Sequence, residues 1–158
     1  MTQDNSERWF KVQPSRKYFE EVNVGDKFTT LSRTVTETDI INFCGISGDY
    51  GPWHSDMEFA KKSGYQGIIA HWTLTLAIAW GLYARAGVLQ AISTLGVNSL
   101  SLKGPVKPGD TIRLEGEIIN KKETKRADRG VVTLHNEVKN QRDDTVMEFE
   151  AALLTWRE

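Results

Sequence analysis

From about Leu95 to Trp156 apolar and polar residues alternate, and a period of two belongs to strands with one face buried and one face wet. Within residues 110–119, Ile112, Leu114 and Ile118 fall on one side, while Thr111, Arg113, Glu115 and Glu117 fall on the other. Residues 130–140 bring Val132, Leu134 and Val138 together in the same way, and residues 146–156 bring together Met147, Phe149, Ala151 and Leu153. The linkers at 121–129 and 141–144 are charged and turn-prone, so they join successive strands as hairpins and predict a meander.

Upstream the pattern is helical. Residues 72–84 are apolar around every side of a helix that Arg85 closes and Gly87 stops. The run is shorter than the roughly 20 residues a bilayer requires, so it predicts a helix enclosed by protein. Residues 27–34 predict another strand. A helix begins at residues 35–39, where Thr36 and Asp39 have the spacing of a capping box, and Ile40, Ile41, Phe43 and Cys44 give it a buried stripe. A second short helix is predicted from Asp56, as N-cap, through Lys62. One long apolar helix against an antiparallel sheet of about five strands is an α+β layer arrangement. It fits a single domain over residues 1–158, with residues 1–15 a loosely ordered N-terminal extension.

Charge and cysteine content narrow the partners. A formal net charge of −1 over 158 residues gives no general field for nucleic acid or anionic lipid, so neither nucleic acid nor membrane is expected as a partner. Cys44 stands alone, which rules out an internal disulfide, and with three scattered histidines it makes no Cys/His metal site. No metal is expected. The polar N-terminus lacks the apolar run of a secretory signal, which favours a reducing cytoplasm.

Candidate chemistry is concentrated in residues 47–56, Ser-Gly-Asp-Tyr-Gly-Pro-Trp-His-Ser-Asp. Gly51 and Pro52 argue against helix and bend the chain, so that Asp49 and His54 converge on one small volume. An imidazole and a carboxylate sharing such a site can hold a water molecule and pass protons in both directions near neutral pH. Each group also has a plain structural alternative, Asp49 as a turn residue and His54 as a surface histidine. His71 reads as a core or helix-start histidine, His135 as a solvated strand residue, and Asp56 as a cap.

Taken with residues 34–40, 43–56, Phe59-Ala60, Gly67-Ile-Ile-Ala-His71 and Pro105-Val-Lys-Pro-Gly-Asp110, the loop resembles the MaoC-like dehydratases and (R)-specific enoyl-CoA hydratases of the hot-dog fold, over nearly the whole chain. The resemblance implies a sheet wrapped around the long helix, subunits paired as a homodimer or higher oligomer, and an acyl-CoA thioester as substrate. Water would be added reversibly across the 2,3 double bond, with Asp49 and His54 as catalytic dyad and no cofactor beyond the coenzyme A carried by the substrate. The thioester oxygen would be held by the Trp72 backbone N–H at the start of the long helix, where free donors and the helix dipole coincide. Gly67, His71, Trp53 and Trp80 would line the substrate path, and Lys61, Lys62, Lys103, Lys107 and Arg85 are available to coenzyme A phosphates.

The chain departs from the family pattern with Gly51 before Pro52 where Asn is usual, Trp72 after His71 where Gly is usual, and Trp80 where Ser is frequent. Trp53, Trp72 and Trp80 are therefore expected to crowd the acyl end and to favour a short or unusually shaped acyl group. Two other functions stay open. One is a hot-dog acyl-CoA thioesterase and the other a non-catalytic acyl-CoA-binding partner subunit.

Overall fold

A computed structural model describes Trp9–Phe10 and residues 16–158 of the chain. Four long strands dominate it: β4 (Ala91–Leu102), β5 (Thr111–Glu123), β6 (Arg129–Lys139) and β7 (Thr145–Trp156). Three short ones precede them, β1 (Trp9–Phe10), β2 (Lys27–Thr29) and β3 (Arg33–Thr34). The sheet runs β1-β2-β5-β6-β7-β4, with β3 pairing the start of β5. All its pairings are antiparallel except that of β1 with β2. Within the segment expected to be a loose extension, the backbone of Trp9 and Phe10 pairs with Lys27 and Phe28; the rest of residues 1–15 lies outside the described residues.

Alternation decides the faces. Ile112, Leu114, Ile118, Val132, Leu134, Val138, Met147, Phe149, Ala151 and Leu153 all point into the core, each almost wholly buried. Each of these side chains except that of Ala151 contributes about 1.5–3 kcal/mol through removal from water. Gly116 shares their face because the Phe28 ring fills its place: a Cβ there would stand 2.3 Å from Phe28 Cζ.

The meander is confirmed for β5, β6 and β7, whereas β4 crosses over to pair with β7 at the far edge. The strand predicted over residues 27–34 is split into β2 and β3. Leu114 N–H donates to the Thr30 hydroxyl at 3.0 Å instead of to a backbone carbonyl, and the chain leaves the ladder beyond it.

Helix α1 (Glu37–Ser47) starts with the expected box: Thr36 Oγ1 accepts from Asp39 N–H, and Asp39 Oδ2 accepts from Thr36 N–H. Only Ile40 and Cys44 of its apolar stripe are buried. Ile41 is exposed and Phe43 half-buried, since one turn of spacing leaves a single narrow row facing the core. Asp56 caps α3 (Met57–Lys62) by accepting from the Glu58 and Phe59 N–H groups.

Between them lies a turn of helix, α2 (Pro52–Ser55), where the glycine and proline argued against one. Proline at the first helical position loses no hydrogen bond and brings a preset φ, so Pro52 starts this turn rather than preventing it. Helix α4 (Trp72–Ala86) packs against the core face of the sheet and ends at Gly87 in the left-handed region. It is not enclosed all round: Leu74, Ile78, Ala79, Leu82 and Tyr83 are buried, but Trp72, Ala77, Gly81, Ala84 and Arg85 are exposed. One sheet can cover only one side of a helix. Among the described residues no helix is long and apolar enough to cross a membrane.

Candidate active site

The loop after α1 is built by short-range hydrogen bonds that its small polar residues dictate. Gly48, at φ +74°, ends the helix with its N–H on Cys44 O at 2.9 Å. Ser47 Oγ donates to Phe43 O at 2.6 Å and accepts from Asp49 N–H at 3.1 Å. Asp49 Oδ1 then accepts from Gly51 N–H at 3.0 Å, the local turn for which aspartate is suited. Gly51 lies between the two candidate groups: a Cβ there would stand 3.1 Å from Asp49 Oδ1 and 3.5 Å from His54 Cδ2.

Helix α2 turns His54 back onto residues 67–71. His54 Nδ1 donates to Ile69 O at 2.7 Å, and Ile69 N–H donates to Trp53 O at 3.0 Å. A carbonyl only accepts, so Nδ1 of His54 carries a proton, and Nε2 is the ring nitrogen left to serve as a base in the neutral imidazole. On the other side, Ala70 N–H donates to Val106 O at 2.7 Å. The loop carrying Val106 is braced by Asp110, which accepts from Lys107 N–H and Gln141 Nε2 at 2.8 Å each.

His71, the N-cap residue of α4, is buried directly beneath this loop. Its Nε2 lies 2.9 Å from Asp49 O, and its ring stacks on that of His54 with centroids 3.7 Å apart and planes 23° apart. Ligand atoms of Asp49, His54 and His71 all fall within 4.8 Å of one another. The expected convergence of Asp49 and His54 is therefore present, with His71 as a third member. A metal ion could be offered donors by these three side chains, although each imidazole already spends one nitrogen on a carbonyl. Beside them Cys44 Sγ is 3.8 Å from His71 Nε2, and burial, with the charge of Asp49 adding to it, pushes its thiol up.

A cavity of about 390 Å³ opens next to His54. Trp53, Tyr65, Ile69, Trp72, Thr75 and Met147 are among the side chains that line it. His54 lines this cavity, whereas Asp49, exposed in the loop, does not. At the cavity wall α4 begins, and its first intrahelical bond runs from Thr75 N–H to His71 O at 3.0 Å. The N–H groups ahead of it, that of Trp72 included, have no intrahelical acceptor.

The three tryptophans do not converge. Trp53 and Trp72 line this cavity, but Trp80 is two turns along α4, stacked on Tyr83 and lining a separate cavity of about 180 Å³. Gly67 adopts φ +148° and faces Met57 Sδ, shaping the approach to residues 68–71 rather than the cavity wall. Lys103 lines the cavity with its ammonium 2.6 Å from Glu148, and Lys107 lines an adjoining polar hollow with Arg142. Lys61 is paired with Glu58, Lys62 is exposed on α3, and Arg85 is at the opposite end of α4.

Ile69, whose carbonyl holds the His54 Nδ1–H, carries no mark in the sequence, because a backbone acceptor leaves no side-chain signal. His135, half-exposed as expected, stands with Glu137 and Glu148 on the outer sheet face, where Lys139 and Lys103 pair with the two glutamates.

The family profile described as "MaoC like domain" matches residues 20–141. Protein MaoC of Klebsiella aerogenes is 41% identical over 104 residues, covering 66% of this chain and 31% of that protein, so the chain spans under a third of its length. An (R)-specific enoyl-CoA hydratase of Rhodospirillum rubrum is 32% identical over 60% of this chain and 65% of its own. A solved structure of a MaoC-like dehydratase from the same organism superposes with a TM-score of 0.83 at 32% identity, covering 90% of this chain and 98% of that one. The sheet wrapped on α4 is the hot-dog fold.

Proposed function

The chain belongs to the MaoC-like family, and on that premise we propose that it is a hydro-lyase that adds water reversibly across the 2,3 double bond of an enoyl-CoA. The observation that carries this reading is the meeting of a carboxylate and an imidazole whose Nδ1 is held by a backbone carbonyl, within 4.8 Å, beside a cavity that starts at the free end of a helix. Hydration requires a water oxygen delivered to C3, a proton delivered to C2, and a stabilised negative charge on the thioester oxygen. Asp49 takes the proton from water, and His54 orients that water through Nε2. The C3–O bond forms as the 2,3 π electrons move onto the thioester oxygen, which the Trp72 N–H receives. Collapse of the enolate then takes a proton onto C2 from the same pair. Dehydration follows the path backwards.

This chemistry needs only the dyad and a backbone donor, so no metal or cofactor is invoked, and activity should survive dialysis against a chelator. Trp53 and Trp72 at the cavity favour a compact acyl group. The subunits are proposed to pair as homodimers through β4, a twelve-residue edge strand with Leu95, Val97 and Leu102 exposed. Light scattering on purified protein tests that pairing.

Incubation with crotonyl-CoA tests the activity. Loss of the conjugated enoyl absorbance without release of free thiol is the expected result. Free thiol would instead mean thioester hydrolysis, and binding with neither change would mean a non-catalytic subunit.

A further inference from the structure

His71 makes two contacts that no turn residue or helix cap requires. Its Nε2 is 2.9 Å from the backbone carbonyl of Asp49, and its ring lies flat against His54 at 3.7 Å. One side chain therefore touches both halves of the acid–base pair from beneath. Since the Asp49 carbonyl can only accept, the His71 proton is on Nε2. Nδ1 is buried with no partner among the described residues, which suits a bare lone pair and not a second N–H, because a buried N–H without an acceptor is costly. The ring is 2% exposed and is closed in by Phe43, tilted at 5.1 Å, and by the Cys44 thiol.

His71 is packed in on all sides, whereas Asp49 is in an exposed loop whose other hydrogen bonds among the described residues are all local, reaching only as far as Phe43 and Ser55. Among the described residues, the bond from His71 is the one hydrogen bond to this loop's tip that comes from a distant segment, 22 residues away. We propose that His71 is a positioning residue: a neutral imidazole that clamps the Asp49 backbone and the His54 ring at a fixed separation, and so sets the geometry of the dyad without touching substrate.

This rests on the hydratase reading only for its kinetic arm, so two kinds of measurement separate the two claims. His71→Phe keeps a flat ring for the stack but loses the donor, and His71→Gln keeps an N–H donor but loses the ring. With enoyl-CoA as substrate, His71→Phe is expected to lower kcat by up to about 10²-fold with KM little changed, the scale at which misplaced catalytic groups lose rate. His71→Gln should recover part of that loss. In the Asp49→Asn background the same His71→Phe change should cost little more, because the group it positions is already disabled. Equal losses in both backgrounds, or a loss confined to KM, would overturn the clamp.

Independently of any turnover, amide hydrogen exchange at residues 49–54 should quicken in His71→Phe while β5, β6 and β7 keep their protection. Unchanged exchange in that loop would overturn the proposal even if the protein hydrates nothing. Failure of the wild type on every enoyl-CoA, with exchange quickened as expected, would instead overturn the assigned activity and leave the clamp standing.

Discussion

The two ends of α4 are made of the same kind of residues, yet they do opposite things. At Trp72 the helix starts with N–H groups that lack an intrahelical acceptor and opens onto a cavity of about 390 Å³, with two stacked imidazoles and a carboxylate grouped around His71. At Ala86 it is closed by Gly87 in the left-handed region, and a cavity of about 180 Å³ is walled by Trp80 and Tyr83. Burial pushes the Tyr83 phenol well above the usual tyrosine range, so it stays a neutral hydroxyl. Phe28 and Phe149 close the aromatic cluster around it. The difference lies in what the backbone leaves unsatisfied. A helix start has donors to spare and a partial positive charge, whereas a capped helix end has neither, so polar chemistry collects at the first and packing at the second.

Substitutions at each end should split accordingly. Asp49→Asn is expected to lower kcat by about 10²–10⁴-fold while the thermal midpoint stays at the parent value, the range a general acid or base contributes. A variant as active as the parent would erase the contrast. Phe28→Ala, beneath the Tyr83 ring, should cost about 3–5 kcal/mol in urea denaturation and leave turnover per folded molecule unchanged. A chemical defect in the folded fraction would show that the two ends are coupled. Trp53→Ala should sharpen the picture of the open end by raising kcat/KM for longer enoyl-CoAs relative to crotonyl-CoA, by about tenfold per well-filled methylene. A uniform loss across chain lengths would place Trp53 outside the acyl path. Least of all, Tyr83→Phe should change stability by no more than about 1 kcal/mol, since its hydroxyl has no partner among the described residues. A larger loss would reveal a partner outside them.

Much of this was legible along the chain. The core faces of β5, β6 and β7, the Thr36–Asp39 box, the Asp56 cap and the Gly87 stop all depend on neighbours within a few positions, and each was found where its pattern placed it. The readings that failed needed knowledge of the other side of a contact. Ile41 is as apolar as Ile40, but only one of them meets the sheet. Trp80 has the same side chain as Trp72 and is in another cavity, because eight positions along a helix is more than two turns. Pro52 looks like a breaker along the chain and begins α2 in the fold, since nothing local says whether a proline begins a helix or interrupts one.

For the site, the sequence by itself determined that Asp49 and His54 share a bent loop, and that a helix with free N–H groups starts at Trp72. Only the tertiary structure decided that these meet. His54 takes its tautomer from the carbonyl of Ile69, fifteen residues away, and Asp49 is tied through its own carbonyl to His71, a residue whose local pattern says no more than helix start. The physical reason is that side-chain periodicity records which face a residue shows to the core, whereas hydrogen-bond acceptors on the backbone are alike at every position. Which carbonyl a histidine finds is settled by how distant segments pack, and no spacing along the chain encodes it.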